Sequence, residues 1–416
     1  MQEVRGSNPL SSTKRQDYMI KDTINNSGKI FSSHVISLIL IILQVGIVTK
    51  SLGLELYGKL SIILVSTSLI FRILLAKNSD VVIFYLNKYK QNQFLNSLYF
   101  DFLLGFIGLI ITIFLLSLSN FVFNISLNFS LYFYLLTRTL LHCEETFKGY
   151  FTFYKNFKKL AYLKFIQDIL NFVLIVTFFQ FEKSIDSYLN AISSATLLYF
   201  LIGIVLSKEY IVFARKNFIE FLKSIKQIFF KQRLNQLTGI VPQHFDLLIL
   251  GYFSTYSEVG VYRLAKRLVD PINIIVNSLN PVMQNKIFNS KDSINIQEFT
   301  KKITIPISAI LIFSYSIFGN SLISIVSSIE FIDSYTPMLI ILIGQIIYLN
   351  FFWIRNFLLF QNRIHLHSIA RIVGTLVFVI LSIFFSSSFK AVGIAIAFLI
   401  SNLTQKIFEY YFYKKN

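Results

Sequence analysis

Apolar runs of about twenty residues recur along the chain from Ile30 to Phe412, each closed by a short polar gap. A helix crossing the hydrocarbon core of a bilayer needs about 20 such residues at a rise of about 1.5 Å each. The pattern predicts twelve spans. Six cover residues 30–49, 57–76, 98–117, 129–147, 162–180 and 187–206, and six more cover 236–253, 262–284, 303–326, 335–354, 365–386 and 391–411. Polar residues interrupt the fourth, eighth and twelfth.

The gaps alternate in charge. Lys77, Lys88 and Lys90 fall in one, and Lys148, Lys155, Lys158 and Lys159 in the next but one. Lys208, Arg215, Lys216, Lys223, Lys226, Lys231 and Arg233 follow, then Lys286, Lys291, Lys301 and Lys302, then Lys414 and Lys415 at the tail. The intervening gaps hold little beyond Lys183 and Lys390, with Lys50 at a boundary. Basic residues collect on the cytoplasmic side of multi-span proteins, so this alternation places both termini in the cytoplasm and requires an even number of spans.

Composition agrees. Charged residues make up 14% of the chain, against about 25% in an ordinary soluble domain. The net charge of +18 would suggest nucleic acid in a soluble protein, but here the cations sit at helix ends and act as an orientation signal. The lone cysteine, Cys143, excludes an internal disulfide and a cysteine metal cage. No Walker A, HExxH, CxxC or GxGxxG pattern occurs, so no ATP, metal or dinucleotide cofactor is expected. Residues 1–28 are polar and lack the apolar core of a signal peptide. They are expected to be a disordered N-terminus, with Met19 a candidate for the true start.

The chain reads as two halves. The longest basic gap, 207–235, carries Ile211, Phe218, Phe221, Leu222, Ile225 and Phe229 at helical spacing beside its lysines, the pattern of an amphipathic helix on the inner leaflet. It separates an N-lobe, 29–206, from a C-lobe, 236–416. The turn after the first span, Leu52-Gly-Leu-Glu-Leu-Tyr-Gly-Lys-Leu, is echoed after the seventh by Ser254-Thr-Tyr-Ser-Glu-Val-Gly-Val-Tyr, with Gly58 and Gly260 nearly half a chain apart. Six spans per half give both lobes the same orientation. The expected fold is therefore all-α and polytopic, about twelve helices in two six-helix lobes related by a pseudo-two-fold axis along the membrane normal, with a cleft between them.

Ionisable residues inside spans each cost about 2.5–3.5 kcal/mol at a helix centre, so they mark candidate sites. Arg263, Lys266, Arg267 and Asp270 share one face of the eighth span. That stripe lines a wet cavity or snorkels toward the interface; four neighbours and a short aspartate favour the cavity. Arg138 lies mid-span with His142 and Glu145 on its face, as a ligand-binding group or in a local ion pair. Arg72 and Arg371 lie nearer the cytoplasmic ends of their spans, where snorkelling competes with a binding role. Asp246, beside Gln243 and His244, balances a cavity cation, forms a structural ion pair or takes part in ion coupling; Asp270 and Glu145 are further candidates for charge balance or ion coupling. Asp101 and Asp168 raise the same question in the third and fifth spans. A cationic row of this kind suits phosphate, which arginine holds through paired hydrogen bonds.

The stretch from His244 to Leu268, with Asp246, Gly260 and Tyr262, resembles the seventh-to-eighth-helix signature of the polysaccharide transporter family, and Leu52–Leu60 resembles its first turn. Within the superfamily of multidrug, oligosaccharidyl-lipid and polysaccharide exporters, the chain is most similar to O-antigen and capsule repeat-unit flippases. The resemblance implies a non-enzymatic flippase in a bacterial inner membrane, moving an undecaprenyl-pyrophosphate-linked oligosaccharide by alternating access. It implies membrane lipids, a polysaccharide polymerase and chain-length proteins as partners, and no nucleic acid. Two alternatives stand beside it. A membrane polysaccharide polymerase or ligase needs a sizeable outer loop, which the short outer gaps do not supply. A cation-coupled drug exporter of the same superfamily should carry acids, not bases, in its cavity.

Overall fold

A computed structural model of the chain describes residues 12–75, 78–123, 128–211, 217–289, 300–361 and 363–415. The described residues are helical almost throughout and contain no strand. The helices are α1 (Ser12–Leu75), α2 (Asn78–Tyr89), α3 (Phe94–Phe123), α4 (Phe129–Leu141), α5 (Glu144–Phe153), α6 (Phe157–Phe181) and α7 (Ile185–Leu206). They continue with α8 (Phe218–Phe253), α9 (Tyr256–Val269), α10 (Pro271–Asn289), α11 (Ile305–Val326), α12 (Tyr335–Phe351), α13 (Trp353–Phe360) and α14 (Ile364–Lys414). Among the described residues seven helical stretches are long and apolar enough to cross a membrane. Many of the large apolar side chains stay exposed, Phe313 and Phe384 among them, as expected of helices whose outer face meets lipid.

Each predicted span lies on helical backbone, but the breaks fall where local chemistry dictates. α1 holds two spans joined at Gly53, whose φ of 71° and ψ of −178° suit only a residue without a side chain. α14 holds two more, joined at Lys390. The fourth span is notched at His142 and Cys143, between α4 and α5. The eighth breaks at Asp270–Pro271, because proline lacks the amide hydrogen that would continue α9. Oxygen caps start three helices: Asn128 accepts from Leu131 N (3.0 Å), Ser184 from Ser187 N (3.2 Å) and Thr255 from Glu258 N (3.4 Å).

Two segments differ from expectation. Residues 12–28 are helical backbone continuous with the first span, because each residue added to an already nucleated helix gains one hydrogen bond; residues 1–11 lie outside the described set. The linker is continuous with the seventh span: α8 runs unbroken from Phe218 to Phe253. Its first turns bury Phe221 and Ile225 against Val81 and Tyr85 of α2, with Phe229 packed on Phe100 of α3, while Ile219 and Phe230 remain exposed. Part of the basic linker, residues 212–216, lies outside the described residues.

A core of buried residues extends from Val48 and Leu60 of α1 through Leu131 and Leu135 of α4 to Leu264 of α9 and Leu342 of α12. Its tightest contact joins α1 to α9. A Cβ on Gly58 would lie 1.8 Å from the Tyr256 carbonyl oxygen, and a Cβ on Gly260 would lie 2.4 Å from that of Leu54. The contact is reciprocal, each glycine meeting the carbonyl four residues before the other. The same end is further closed where Lys50 Nζ donates to the Ile325 carbonyl (2.7 Å), where a Cβ on Gly46 would lie 2.7 Å from the Val326 carbonyl, and where the Tyr57 ring meets Phe331 edge-on at 5.8 Å.

Candidate functional site

α9 is strongly two-sided. Val259, Val261, Leu264, Ala265 and Leu268 are buried in the core, and the basic residues sit on the remaining arc. Tyr262 and Lys266, one turn apart, both point at α8: Lys266 Nζ and the Tyr262 hydroxyl donate to Asp246 Oδ2, the latter at 3.1 Å, and the Leu247 amide donates to Oδ1 at 2.8 Å. Asp246 has no exposed surface. Its carboxylate is thus neutralised and saturated, which is the condition for burying it. Of the roles open to Asp246 from sequence, the geometry shows an ion pair with a stripe cation.

The rest of the stripe faces α1 and α7. Arg263 lies against the Tyr57 hydroxyl of α1. Arg267 pairs with Asp270 at 3.4 Å, and both side chains keep about two-fifths of their surface accessible (38% and 41%). Arg72 of α1 is exposed and within electrostatic reach of Arg138 and Arg267. Arg138 lies over the Tyr134 ring at 5.5 Å, with its Nε buried and unpartnered. Tyr188 of α7 is within reach of Arg263 and Arg267 and accepts from Gln44 Nε2 at 3.5 Å. His244 of α8 lies near Arg72, Lys266, Asp246 and Arg263, and its Nε2 is buried with no partner. Gln243 carries no described side chain.

Arg72, Arg138, Arg263, Lys266 and Arg267 therefore converge on one junction, facing Asp246 and Asp270 as counter-charges. The cations outnumber the acids, and tyrosines ring them. Such a set can bind an anion with several oxygens, since each guanidinium offers paired donors and the tyrosines add hydroxyls and flat faces.

Two candidates stand elsewhere. Arg371 lies near Tyr348, Arg355 and Glu409, in a separate group where buried Glu409 accepts from His367 Nδ1 (2.9 Å), Lys406 Nζ (2.7 Å) and Gln405 Nε2 (2.6 Å). Glu145 accepts from the Ser79 amide (3.1 Å) and hydroxyl (2.8 Å) and lies 3.6 Å from Lys148. The notch at His142–Cys143 turns α5 away from α4, so Glu145 does not share the Arg138 face; His142 instead stacks on Phe71 at 5.0 Å. Asp101 is fully engaged by Asn78 and Thr146, and Asp168 pairs with Lys164 at 2.9 Å. No three-residue His/Cys/Asp/Glu group among the described residues could hold a metal.

Sequence reasoning did not single out Tyr57, Tyr134 or Tyr188. Of the three only Tyr57 carried a signal, its place two residues after Glu55 in the first turn motif.

Among solved structures, the lipid II flippase MurJ in an inward closed conformation superposes with a TM-score of 0.74 over 92% of this chain and 87% of that one, at 17% identity. The described helices share its fold. An inward-facing MATE multidrug resistance transporter of the MOP superfamily gives 0.73 over 90% and 93%, at 13% identity. An outward-facing MATE transporter gives 0.65 over 95% of each chain, at 14% identity. No family model matches the sequence, and no curated protein matches it. At these identities the likeness concerns the fold; MurJ and the MATE proteins differ in what their names say they carry, and the polarity of the site has to decide between such cargoes here.

Proposed function

We propose that this chain is a multi-pass flippase that translocates an undecaprenyl-pyrophosphate-linked oligosaccharide, an O-antigen or capsule repeat unit, across the bacterial inner membrane. The observation that carries the reading is the convergence of Arg72, Arg138, Arg263, Lys266 and Arg267 on one junction with, among the described residues, two carboxylates. Excess positive charge within membrane-spanning helices suits a pyrophosphate and repels the cationic cargo of a drug exporter. The fold, shared with a lipid II flippase, supports a lipid-linked substrate.

Movement follows from two lobes, 29–206 and 236–416, that rock about their contact. The reciprocal approach of Gly58 and Gly260 supports a pseudo-two-fold between them, because exchanging equivalent residues exchanges the two contacts. With the basic gaps placed in the cytoplasm, this contact lies on the outer side, and the state described is closed outward. The pyrophosphate enters from the cytoplasmic side, displaces water from the arginines and is released outward when the lobes rock. No bond is made or broken, so the protein acts as a carrier. The prenyl tail stays in the bilayer, and a polymerase with its chain-length proteins receives the exported unit.

Surface polysaccharide in cells carrying Arg263→Ala or Arg267→Ala tests the reading. Both variants should accumulate in the membrane and lose surface glycan. Normal glycan in both would remove the cationic row from the mechanism.

A further inference from the structure

A second site lies at the end of the molecule assigned above to the outer side. The bend of α14 at Lys390, the start of α9, the end of α11 and the start of α12 line an open cavity of about 480 Å³. This falls within the size range of small-molecule sites, roughly 300–1,000 Å³. It lies behind α9: Glu258 and Val261 face it, about 120–180° around the helix from Arg263 and Arg267 at 100° per residue. It is therefore distinct from the cationic junction.

The cavity wall is held in a strained shape. Lys390 has φ 50° and ψ −127°, which a residue with a side chain adopts only under constraint. Glu258 supplies that constraint. One carboxylate oxygen lies 3.2 Å from Lys390 Nζ, and the other accepts from the Ala391 amide at 3.4 Å, which caps the second half of α14. Glu258 and Lys390 thus cancel, and Asp333 leaves the cavity with one net negative charge. Around it stand the exposed side chains of Asn320 and Thr336 and the Phe389 ring, 57% accessible, over a floor made by buried Val261.

We propose that this cavity binds the sugar part of the exported glycan on the outer side. A carboxylate, an amide and a hydroxyl lining one cavity with an exposed aromatic ring can hold vicinal hydroxyls and the apolar face of a sugar ring. The negative balance excludes the pyrophosphate, so the two sites take opposite ends of the substrate class. A glycan held here after translocation is kept from returning through the junction. The assignment rests on the flippase reading for its ligand and on the cytoplasmic placement of the basic gaps for its side.

Right-side-out membrane vesicles carrying Ile332→Cys test it, because Ile332 lines the cavity and the native Cys143 is buried. A membrane-impermeant maleimide should label the new thiol, and a panel of neutral and N-acetylated disaccharides should protect it, while inorganic pyrophosphate should not. Adding Asp333→Asn or Asn320→Ala should raise the half-protecting concentration about fivefold, the effect of losing one hydrogen bond, with gel filtration of each variant unchanged. Absent labelling, absent protection by every saccharide, unchanged protection in both variants, or protection by pyrophosphate would overturn the proposal. If protection fails while Arg267→Ala still abolishes surface glycan, only this site is lost. If Arg263→Ala and Arg267→Ala export normally, the flippase reading falls whatever the labelling shows.

Discussion

Lys266 of α9 donates its ammonium proton to Asp246 of α8, and the acid it meets has no surface left for water. A buried pair of this kind is costly to break from one side, by about 3–5 kcal/mol, because the remaining charge is stranded. Asp246→Ala and Lys266→Ala should each lower the melting temperature in detergent markedly. The double variant Asp246→Leu/Lys266→Met should recover most of that loss, since apolar residues of similar volume tolerate the site. Thermal unfolding followed by tryptophan fluorescence reads all three. Additive losses in the double variant would show that the two side chains act separately.

The Gly58–Gly260 approach leaves no space for a methyl group on either helix. Gly58→Ala should push α1 from α9 and open the closed end. A short bifunctional thiol crosslinker between Lys50→Cys and Ile325→Cys, positions now spanned by the lysine side chain and its 2.7 Å hydrogen bond, reports the change. The reagent should bridge the otherwise native pair and bridge the Gly58→Ala background several-fold less.

The separation of Arg371 from the cationic junction divides the arginines by phenotype. Arg72→Ala and Arg138→Ala should reduce glycan export about tenfold or more at normal protein levels, as expected from losing a hydrogen bond to a charged group, worth about 1.5–3 kcal/mol. Arg371→Ala should mainly lower melting temperature and membrane abundance, because its neighbours are Tyr348, Arg355 and Glu409. Quantitative immunoblotting beside a surface-glycan assay distinguishes the two patterns.

Glu209 follows α7 in a basic gap, outside the spans. Its hydrogen bond from Lys159, at 2.8 Å, holds the carboxyl below its ordinary range. A depressed acid stabilises the fold above its unfolded pKa and loses that contribution as pH falls through the folded value. The difference in melting temperature between wild type and Glu209→Gln should therefore be small, constant from neutral pH down to the ordinary carboxylate range, and gone in stronger acid. Melting curves over a pH series check it, and a difference that grows toward low pH would contradict the pairing.

The all-helical, many-helix character and the shared face of the α9 charges were legible because each depends on short-range regularity: runs of about twenty apolar residues, and charges spaced three and four apart. Helix interruptions were harder. The eighth span, 262–284, was drawn through Pro271, where the helix breaks, and the notch at His142–Cys143 leaves no mark in composition, although it separates Glu145 from Arg138. The partnering of Asp246 with Lys266 and the isolation of Arg371 depend on how distant helices pack, which residue spacing does not encode. Tyr134 and Tyr188 stayed hidden for a simpler reason: among 22 tyrosines, nothing local distinguishes those that face arginine from those that face lipid.

α8 has one more implication. It is continuous helical backbone over 36 residues, seated at its start on α2 and α3 and bound near its end to α9, with Pro242, which has no amide hydrogen to give, inside it. A helix fastened at both ends carries a swing of one end to the other, and the proline gives it a place to bend. The basic segment at its start is then a lever as well as a tether, and loosening its seat at Phe221 should be felt at Asp246.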